Sequence, residues 1–566
     1  MVHNNGHWGV RCSVMLRVAA LFFAILLGMT ACSGGGSGGS TQTTAEPPAL
    51  TISETEAARF LIRATFGPTE ESIDNLVLLG YESWLNEQFA IPTTSQLAKL
   101  TATLEAANLE ANQGNAKRLR RVDTWWDVVV NGEDQLRQRV AFALSQIFVI
   151  SDEEAALRNS VLGIANYNDL LAEYAFGNYR ELLHAVTLNP MMGDFLSMRR
   201  NEKADPENNI SPDENYAREV MQLFSIGLWE LNLDGTRKLD EDEQPVPTFT
   251  YYEILEFARV YTGWNYGNAP RLRFSRRNAE SEVIPMTSFE DFHDRDLKYL
   301  LGYELIPAGL DAPEDMNAAL DNIFNHANVA PFISKQLIQH LVTSNPSPEY
   351  VERITTIFED NGSGERGDLK RVVQAIFLDE EALAAEGFTF GKLKDPLLKV
   401  TQLWRAFEAE GEFGVLRFGD SNNILGQRPL GAPSVFNFFR PDYQHPGELQ
   451  NMGINSPAFE ILTESLITTS TNILADFVYG ARTRTGKNAA RHPVLLNFTD
   501  ELALSDDPEG LVDHVNLLLM GGLMSDEMKA VLIDNVTETP LDDDGTRRVQ
   551  DAVFLTVSSP EFSVQR

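Results

Sequence analysis

The stretch Asp134–Ile150, DQLRQRVAFALSQIFVI, has the clearest secondary-structure pattern of the chain. Its apolar side chains recur at steps of three and four residues, at Leu136, Val140, Leu144, Ile147 and Phe148. A half-buried strand would alternate apolar and polar residues, whereas these steps place the apolar side chains on one face of an α-helix. The stretch therefore predicts an amphipathic helix packed against a core.

The same periodicity recurs along most of the chain. Ser53-Glu54-Thr55-Glu56 reads as a capping box ahead of an apolar helical run. Further helical runs are YVERITTIFED, DLKRVVQAIFLD, DPLLKVTQLWRAF, AFEILTESLITTSTNILADFVYGA and VDHVNLLLMGG. Strand-like alternation is best in VPTFTYY (246–252) and LRFS (272–275). We predict a mainly α fold: one large multi-helix domain over residues 53–566, with long polar loops and little β structure.

Composition excludes several classes of protein. The chain has 566 residues, a formal net charge of −35 and a hydrophobic fraction of 43%. This apolar content supports a sizeable core and excludes a disordered acidic tail. The acidic balance argues against nucleic acid as a partner, because phosphate binding needs a basic surface. No Walker loop is present, and the strings GxGxxG and GxSxG occur only in the Ser/Gly-rich tether and in the turn at residues 362–367. Neither place has the strand-to-helix context that these motifs need, so the sequence indicates no nucleotide or flavin cofactor, and it leaves the metal content open.

The N-terminal region predicts export and lipidation. Arg11 and Arg17 precede the apolar run Val18–Thr30, which has the length of a signal peptide and is too short to span a bilayer comfortably. The run ends in LGMTAC, which resembles a bacterial lipobox with Cys32 as the lipidated residue. Residues 1–31 would then be a lipoprotein-type signal peptide, and residues 32–52 a lipidated Cys followed by a Ser/Gly/Pro flexible tether. The alternative is a plain cleaved secretory signal in which Cys32 has no role.

Several segments, taken together and in order, resemble one bacterial family, the domain of unknown function 1800 family. They are AARFLIRATFGPTEESI, QLRQRVAFALSQIFVIS, NPMMGDFL, ENYAREVMQLFSIGLWELNLDGT, EFARVYTGW, FHDRDLKYLLG, LGQRPLGAPSVFNFFRPDY and SSPEFSVQR. The resemblance runs from about Ser53 to Arg566 and implies a mostly helical, secreted or envelope protein without an assigned reaction. It also implies a partner, an exported sulfatase-like protein of the domain of unknown function 1501 family. Many relatives have a Glu and a His where this chain has Gln222 and Phe224.

One group of candidate residues lies in ENYAREVMQLFSIGL, predicted as a helix over residues 215–228. Arg218 and Glu219 fall on its polar face, where they would act as anion clamp and base in a cleft. The alternative, which we favour, is a buried Arg–Glu network that ties loops to the core. Arg259 and Trp264 are further candidates. We favour a packing role for both residues, and the alternative is that they form part of a cleft wall. Gln427, in the segment LGQRPLGAPS, is a further cleft candidate.

The densest polar cluster is His293-Asp294-Arg295-Asp296-Leu297-Lys298. His293, Asp294 and Lys298 could serve as acid, base and electrostatic stabiliser. His293 and Asp294 would also suit two metal ligands, with a third from Glu219, His326 or His340. The simpler interpretation is structural, for example a helical i,i+4 pair between Asp294 and Lys298.

Two functions follow from these observations. The first, which we prefer, is a lipid-anchored cell-envelope protein that binds or assembles with other exported proteins, at the outer membrane if the host is Gram-negative. The alternative is an envelope hydrolase acting on a polymer or ester, with Glu219, His293 and Asp294 in acid/base or metal-ligand roles.

Overall fold

Helices dominate the protein. The computed structural model describes residues 52–108, 113–274, 276, 278–411, 414–480, 494–541 and 544–566. These residues contain 24 helices, with 55% of the structure in helix and 6% in strands that form small two-stranded sheets. The mainly α fold predicted from the periodicity is therefore confirmed. Thr51–Arg566 form one compact unit.

The N-terminal part of this unit begins at the predicted capping box. The backbone N–H of Ser53 donates to Glu56 Oε2 at 2.8 Å, and the N–H of Glu56 donates to Ser53 Oγ at 3.3 Å. The helices that follow are α1 (Glu54–Ala64), α2 (Glu70–Leu79), α3 (Tyr81–Ala90), α4 (Gln96–Ala107), α5 (Gly114–Asn131), α6 (Gln135–Ile147), α7 (Val161–Glu173), α8 (Tyr179–Leu188) and α9 (Pro190–Phe195). Helix α6 is the helix expected from the pattern after Asp134.

The middle of the chain departs from the predictions at two points. Its helices are α10 (Asn215–Gln222), α11 (Tyr251–Val260), α12 (Ala312–Phe324), α13 (Val329–Leu341), α14 (Pro348–Glu359), α15 (Leu369–Leu378) and α16 (Glu380–Ala384). The predicted helix 215–228 is wrong in length, because the N–H groups of Ile226 and Gly227 turn back to the carbonyl of Met221 and Gly227 has a φ of +72°. VPTFTYY is not a strand, because Thr250 and Glu253 form a capping box that starts α11.

The C-terminal part is again helical. Its helices are α17 (Pro396–Ala406), α18 (Ser421–Leu425), α19 (Glu448–Asn451), α20 (Glu464–Tyr479), α21 (Thr499–Ala503), α22 (Pro508–Met520), α23 (Asp526–Glu538) and α24 (Thr546–Ser558). Helix α24 packs against both α20 and α22. Short 3-10 helices complete the described set at Tyr174–Phe176, Glu290–Phe292, Leu301–Tyr303 and Pro457–Ile461.

The strands are two-residue segments in antiparallel pairs. They are β1 (Trp264–Asn265) with β2 (Thr287–Ser288), β3 (Lys298–Tyr299) with β4 (Leu305–Ile306), β5 (Lys392–Leu393) with β8 (Val564–Gln565), and β6 (Glu410–Gly411) with β7 (Val494–Leu495). Residues 272–274 of LRFS form no strand, since they lie in a turn region, and Ser275 lies outside the described residues. In the β5–β8 pair Leu393 lies opposite Val564, which brings the C-terminal segment beside the start of α17.

One large core joins most of the helices, and Leu100, Val161 and Ala165 form a small separate cluster. At its centre, ring centroids of Trp126 on α5 and Trp404 on α17 lie 5.1 Å apart. Between α1 and α2 the chain passes so close to α17 that a Cβ on Gly67, which has a φ of +130°, would lie 2.6 Å from the Cα of Gln402. Every helix among the described residues is too short or too polar to cross a membrane.

Candidate functional site

The cluster at residues 293–298 forms a closed, buried network. His293 is fully buried, and its Nε2 lies 3.0 Å from Asp315 Oδ2 on α12. Lys298 Nζ donates to the same oxygen at 2.5 Å and to the carbonyl of Asp294, also at 2.5 Å. The expected pair between Asp294 and Lys298 is present, with Lys298 Nζ 3.8 Å from Asp294 Oδ1, but it is not helical, because Lys298 lies on β3. Through these contacts, the polar side chains at residues 293–298 join their own segment to α12.

Arg259 holds the other end of this network. Its Nε donates to Asp294 Oδ2 at 2.9 Å, and its Nη1 donates to Glu256 at 3.0 Å. Burial, the largest single effect, would raise the pKa of Asp294, but the hydrogen bonds from Arg259 and the backbone N–H of Asp296, with the charges of Arg259 and Lys298, together lower the pKa overall. Trp264 is buried in β1. Both residues thus pack α11 and its following loop against the core.

Arg218 and Glu219 are adjacent in sequence but have different surroundings. Arg218 pairs with Glu214 at 3.1 Å, and its side chain is 38% exposed. Glu219 is 6% exposed, and its Oε2 has no hydrogen-bond partner in the described structure. Burial raises the pKa of Glu219, and Arg218 offsets this only in part. The expected Arg–Glu network is wrong in its pairing, and among the described residues no hydrogen bond links Glu219 to the His293 network.

The histidines named as further metal ligands lie in separate contacts. His326 Nδ1 accepts the backbone N–H of Asn328 at 3.1 Å, and burial lowers its pKa. His340 is buried on α13, where burial lowers its pKa to about 3. Among the described residues, no group of three or more His, Cys, Asp or Glu side chains is arranged to hold a metal ion. The structure therefore does not bring the proposed third ligands to His293 and Asp294.

Gln427 stabilises the beginning of α17 through two hydrogen bonds. Its Nε2 donates to Asp395 Oδ2 at 3.1 Å, and its Oε1 accepts the backbone N–H of Leu397 at 3.3 Å. Lys392 Nζ lies 3.4 Å from the other oxygen of Asp395. Gln427 is 1% exposed and acts as a buried support for the first turn of α17. That turn forms part of a cavity.

This cavity, which we call the lysine pocket, has a volume of about 390 Å³. The first turns of α17, one face of α20, the end of α24 and the C-terminal segment 559–564 form its walls. Most of its lining is aliphatic, including Leu466, Ile467 and Leu474 at helical steps along α20. Ile467 is 48% exposed, so this apolar wall is open to solvent. Volume and lining match those of small-molecule pockets, which span roughly 300–1,000 Å³.

Two ammonium groups lie in this apolar setting. Lys399 Nζ donates to Ser563 Oγ at 3.0 Å, and burial lowers the pKa of Lys399 to about 8. Lys394, 3% exposed, donates to Gln402 Oε1 at 2.7 Å, and burial, followed by repulsion from Lys399, lowers its pKa well below the ordinary value. Within the described part of the chain, neither amine has a carboxylate at ion-pair distance. Lys298 and Lys392, by contrast, each face an aspartate.

Lys394 also separates the lysine pocket from a second cavity of about 440 Å³. Its Nζ lies 4.0 Å from the ring centroid of Phe562, which lines the second cavity. Met520 and Leu523, from the end of α22 and the loop beyond it, form another part of that wall. One buried lysine therefore contacts two cavities on either side of the C-terminal segment.

Sequence reasoning did not single out Lys394, Lys399 or Ser563 as candidates. A usable signal was present, because three of the few lysines of this chain fall within eight residues, at positions 392, 394 and 399. Lys399 also interrupts the otherwise apolar run Leu397–Val400. The terminal segment SSPEFSVQR shows only a resemblance to a family in its sequence, and its position beside α17 depends on the long-range β5–β8 pairing.

Comparison with known proteins gives one match. No curated protein and no solved structure resembles this chain significantly. The family model described as "Protein of unknown function (DUF1800)" matches residues 59–564. This range includes nearly all of the compact unit and both lysines of the pocket. The chain therefore belongs to the DUF1800 family.

Proposed function

We propose that this protein is a lipid-anchored envelope protein that binds a long-chain fatty acid in the lysine pocket. A single observation carries the proposal: two lysines that have no carboxylate partner among the described residues lie in one apolar cavity of a protein with a net charge of −35. Carboxylates are abundant on this chain, so an unpaired buried amine is not explained by a lack of available acidic residues. An amphiphile with an anionic head and an aliphatic tail matches both parts of the lining.

The energetics support an anionic ligand. A buried ammonium without a counter-charge costs several kcal/mol, and an arriving carboxylate would offset that cost with charge-assisted hydrogen bonds. The aliphatic tail would cover the apolar face of α20, including the half-exposed Ile467, at about 25 cal/mol for each Å² removed from water. The two lysines and the apolar wall of the pocket thus both favour an anionic amphiphile.

The test is a binding measurement on Thr51–Arg566, the compact unit with its own core. A fluorescent fatty acid is bound first and then displaced with palmitate or with hexadecanol, the uncharged alcohol of equal length. We expect palmitate to displace the fluorescent fatty acid at a much lower concentration than hexadecanol does. We expect Lys399→Met to lower the affinity for palmitate roughly tenfold to hundredfold. Lys529→Met, which removes a surface lysine paired with Asp513, is the matched control. Equal affinities for acid and alcohol would contradict the proposal.

A second observation supports the predicted assembly with another exported protein. Tyr252 on α11 and Tyr299 and Tyr303 on the β3–β4 hairpin are 49%, 39% and 82% exposed. The backbone N–H of Tyr299 donates to Glu256 of α11 at 2.9 Å, which holds hairpin and helix side by side. Exposed tyrosines are typical of protein interfaces. We propose this tyrosine surface as the contact for the sulfatase-like partner of the domain of unknown function 1501 family.

A further inference from the structure

Ser563 lies at the wall of the lysine pocket in a well-defined position. Its backbone N–H donates to the carbonyl of Pro560 at 3.1 Å, and its own carbonyl accepts the N–H of Lys394 at 2.9 Å. Its Oγ lies 3.0 Å from Lys399 Nζ and 3.2 Å from the carbonyl oxygen of Ser559. The hydroxyl therefore has an amine on one side and a carbonyl acceptor on the other, within an apolar cavity.

A serine beside a lysine is one of the known arrangements for nucleophilic catalysis, in which the neutral amine removes the hydroxyl proton. The requirement is a hydrogen-bond distance between oxygen and nitrogen and a lysine that loses its proton near neutral pH. The distance of 3.0 Å meets the first condition. Burial, which lowers the pKa of Lys399 to about 8, supports the second.

The charges around Lys399 fit this role. The neighbouring amine is that of Lys394, in the segment before α17; burial and then repulsion from Lys399 lower the pKa of Lys394, whereas burial is the cause of the lowered pKa of Lys399. The side chains of α20 that line the pocket are aliphatic or hydroxyl-bearing, and those at the end of α24 are Val557 and Ser558. Among the described residues no carboxylate pairs with Lys399, so nothing there holds the amine in its protonated form.

We propose that Ser563 is the nucleophile and Lys399 its general base in the hydrolysis of a carboxylic ester with a long aliphatic chain. This inference rests on the proposed function, because the aliphatic chain of the substrate would occupy the lysine pocket.

The reaction balances without a further reactant except water. Ser563 Oγ bonds to the carbonyl carbon while Lys399 Nζ takes the hydroxyl proton; the bond from that carbon to the alcohol oxygen then breaks, and the ammonium proton passes to the leaving alkoxide. Water next attacks the acyl carbon, Lys399 takes its proton, and the bond to Ser563 breaks as that proton returns to Oγ. The products are an alcohol and a fatty acid, whose carboxylate is the ligand expected for the two amines.

The experiment labels the full chain in isolated membranes with an alkyl fluorophosphonate and locates the adduct by mass spectrometry. We expect labelling at Ser563, its loss in Ser563→Ala, and a fall of at least a hundredfold in Lys399→Arg, because arginine keeps the positive charge but cannot act as a base. Ser363→Ala is the control, since Ser363 is an exposed serine outside the pocket. Its labelling is expected to equal that of the wild type. Absence of an adduct at Ser563 would overturn the inference.

Palmitate binding, measured in parallel, separates the two proposals. Ser563→Ala and Lys399→Arg are expected to retain binding, which also shows that both variants fold. If palmitate binds but Ser563 is not labelled and p-nitrophenyl decanoate is not hydrolysed, the nucleophile is wrong and the fatty acid site stands. If palmitate does not bind either, both proposals are wrong.

Discussion

At the residue scale, burial produces different results depending on what surrounds the buried group. His340, Lys394 and Lys399 all have lowered pKa values with burial as the largest cause. His340 is enclosed near Lys392, Arg139 and Asp395, and its role is that of a neutral packed side chain. Lys394 and Lys399 line a cavity instead. Burial thus lowers the pKa of a packed structural side chain at His340, and it lowers the pKa of two amines in a candidate binding site at Lys394 and Lys399.

His340 is expected to make the protein less stable in mild acid. Its pKa is about 3 in the folded state and about 6.5 when unfolded, so the unfolded chain binds an extra proton between these values. The stability it contributes is full above pH 6.5 and is lost as the pH falls toward 3. Between pH 7 and pH 5 the loss is about 2 kcal/mol. Urea unfolding of His340→Leu across this range is expected to show a smaller decrease than the wild type by that amount; parallel profiles would contradict the assignment.

The candidate site residues show how far sequence reasoning reaches at this scale. His293, Asp294 and Lys298 were expected to act together, and they do belong to one network. The side chain that completes the network, Asp315, lies on α12, and the pattern around residue 293 contains no sign of it. Ser563 and Lys399 are 164 residues apart in the chain. Such pairs depend on packing between distant segments and cannot be predicted from local spacing.

At the scale of elements, helix starts were more predictable than helix ends and helix partners. The capping box at Ser53 correctly predicts the start of α1, because the cap is made by residues three apart. Helix α20 was expected from its periodicity, but its pocket-facing side was not, because which face is covered depends on α24 and the C-terminal segment. The early end of α10 depends on a turn around Gly227, which periodicity does not detect.

The tyrosine surface formed by α11 and the β3–β4 hairpin makes a prediction at this scale. Changing Tyr252 and Tyr303 together to Ser removes two exposed rings without touching the core, so the melting temperature is expected to stay within a few degrees. If the surface contacts the sulfatase-like partner, co-purification of the two tagged proteins is expected to fall at least tenfold, since interface tyrosines often contribute over 1 kcal/mol each. Phe388→Ser, which removes a 76% exposed ring on a separate part of the chain, is the control. Unchanged co-purification would rule out this surface.

At the scale of the whole molecule, the net charge and the predicted lipid anchor both bear on how the protein attaches to a membrane. The net charge of −35 leaves a strongly solvated, acidic surface, which would be repelled by anionic lipid headgroups rather than adsorb to them. Cys32 and tether residues 33–51 lie outside the described residues, whereas Ile52, predicted as the last tether residue, is buried in the core. Attachment to a membrane is therefore expected to depend on lipid chains at Cys32, each buried CH₂ contributing about 0.8 kcal/mol.

Anchoring can be tested with the two cysteines of the chain. Wild-type protein is expected to sediment with membranes, and Cys32→Ala is expected to appear in the soluble exported fraction. Cys12→Ala is the matched control, because Cys12 precedes the predicted cleavage site and would be removed with the signal peptide. If Cys32→Ala still fractionates with membranes after a high-salt wash, the lipoprotein assignment is wrong.

By itself, the sequence determined the helical fold class and membership of the DUF1800 family, and it predicts export and lipidation. These properties depend on periodicity, caps and ordered motifs, all of which are local along the chain. Only the tertiary structure decided which polar residues meet: Asp315 with His293 and Lys298, and Ser563 with Lys399. The physical reason is that packing between segments far apart in sequence sets both the partner of a polar group and its degree of burial. Local sequence patterns do not specify that packing.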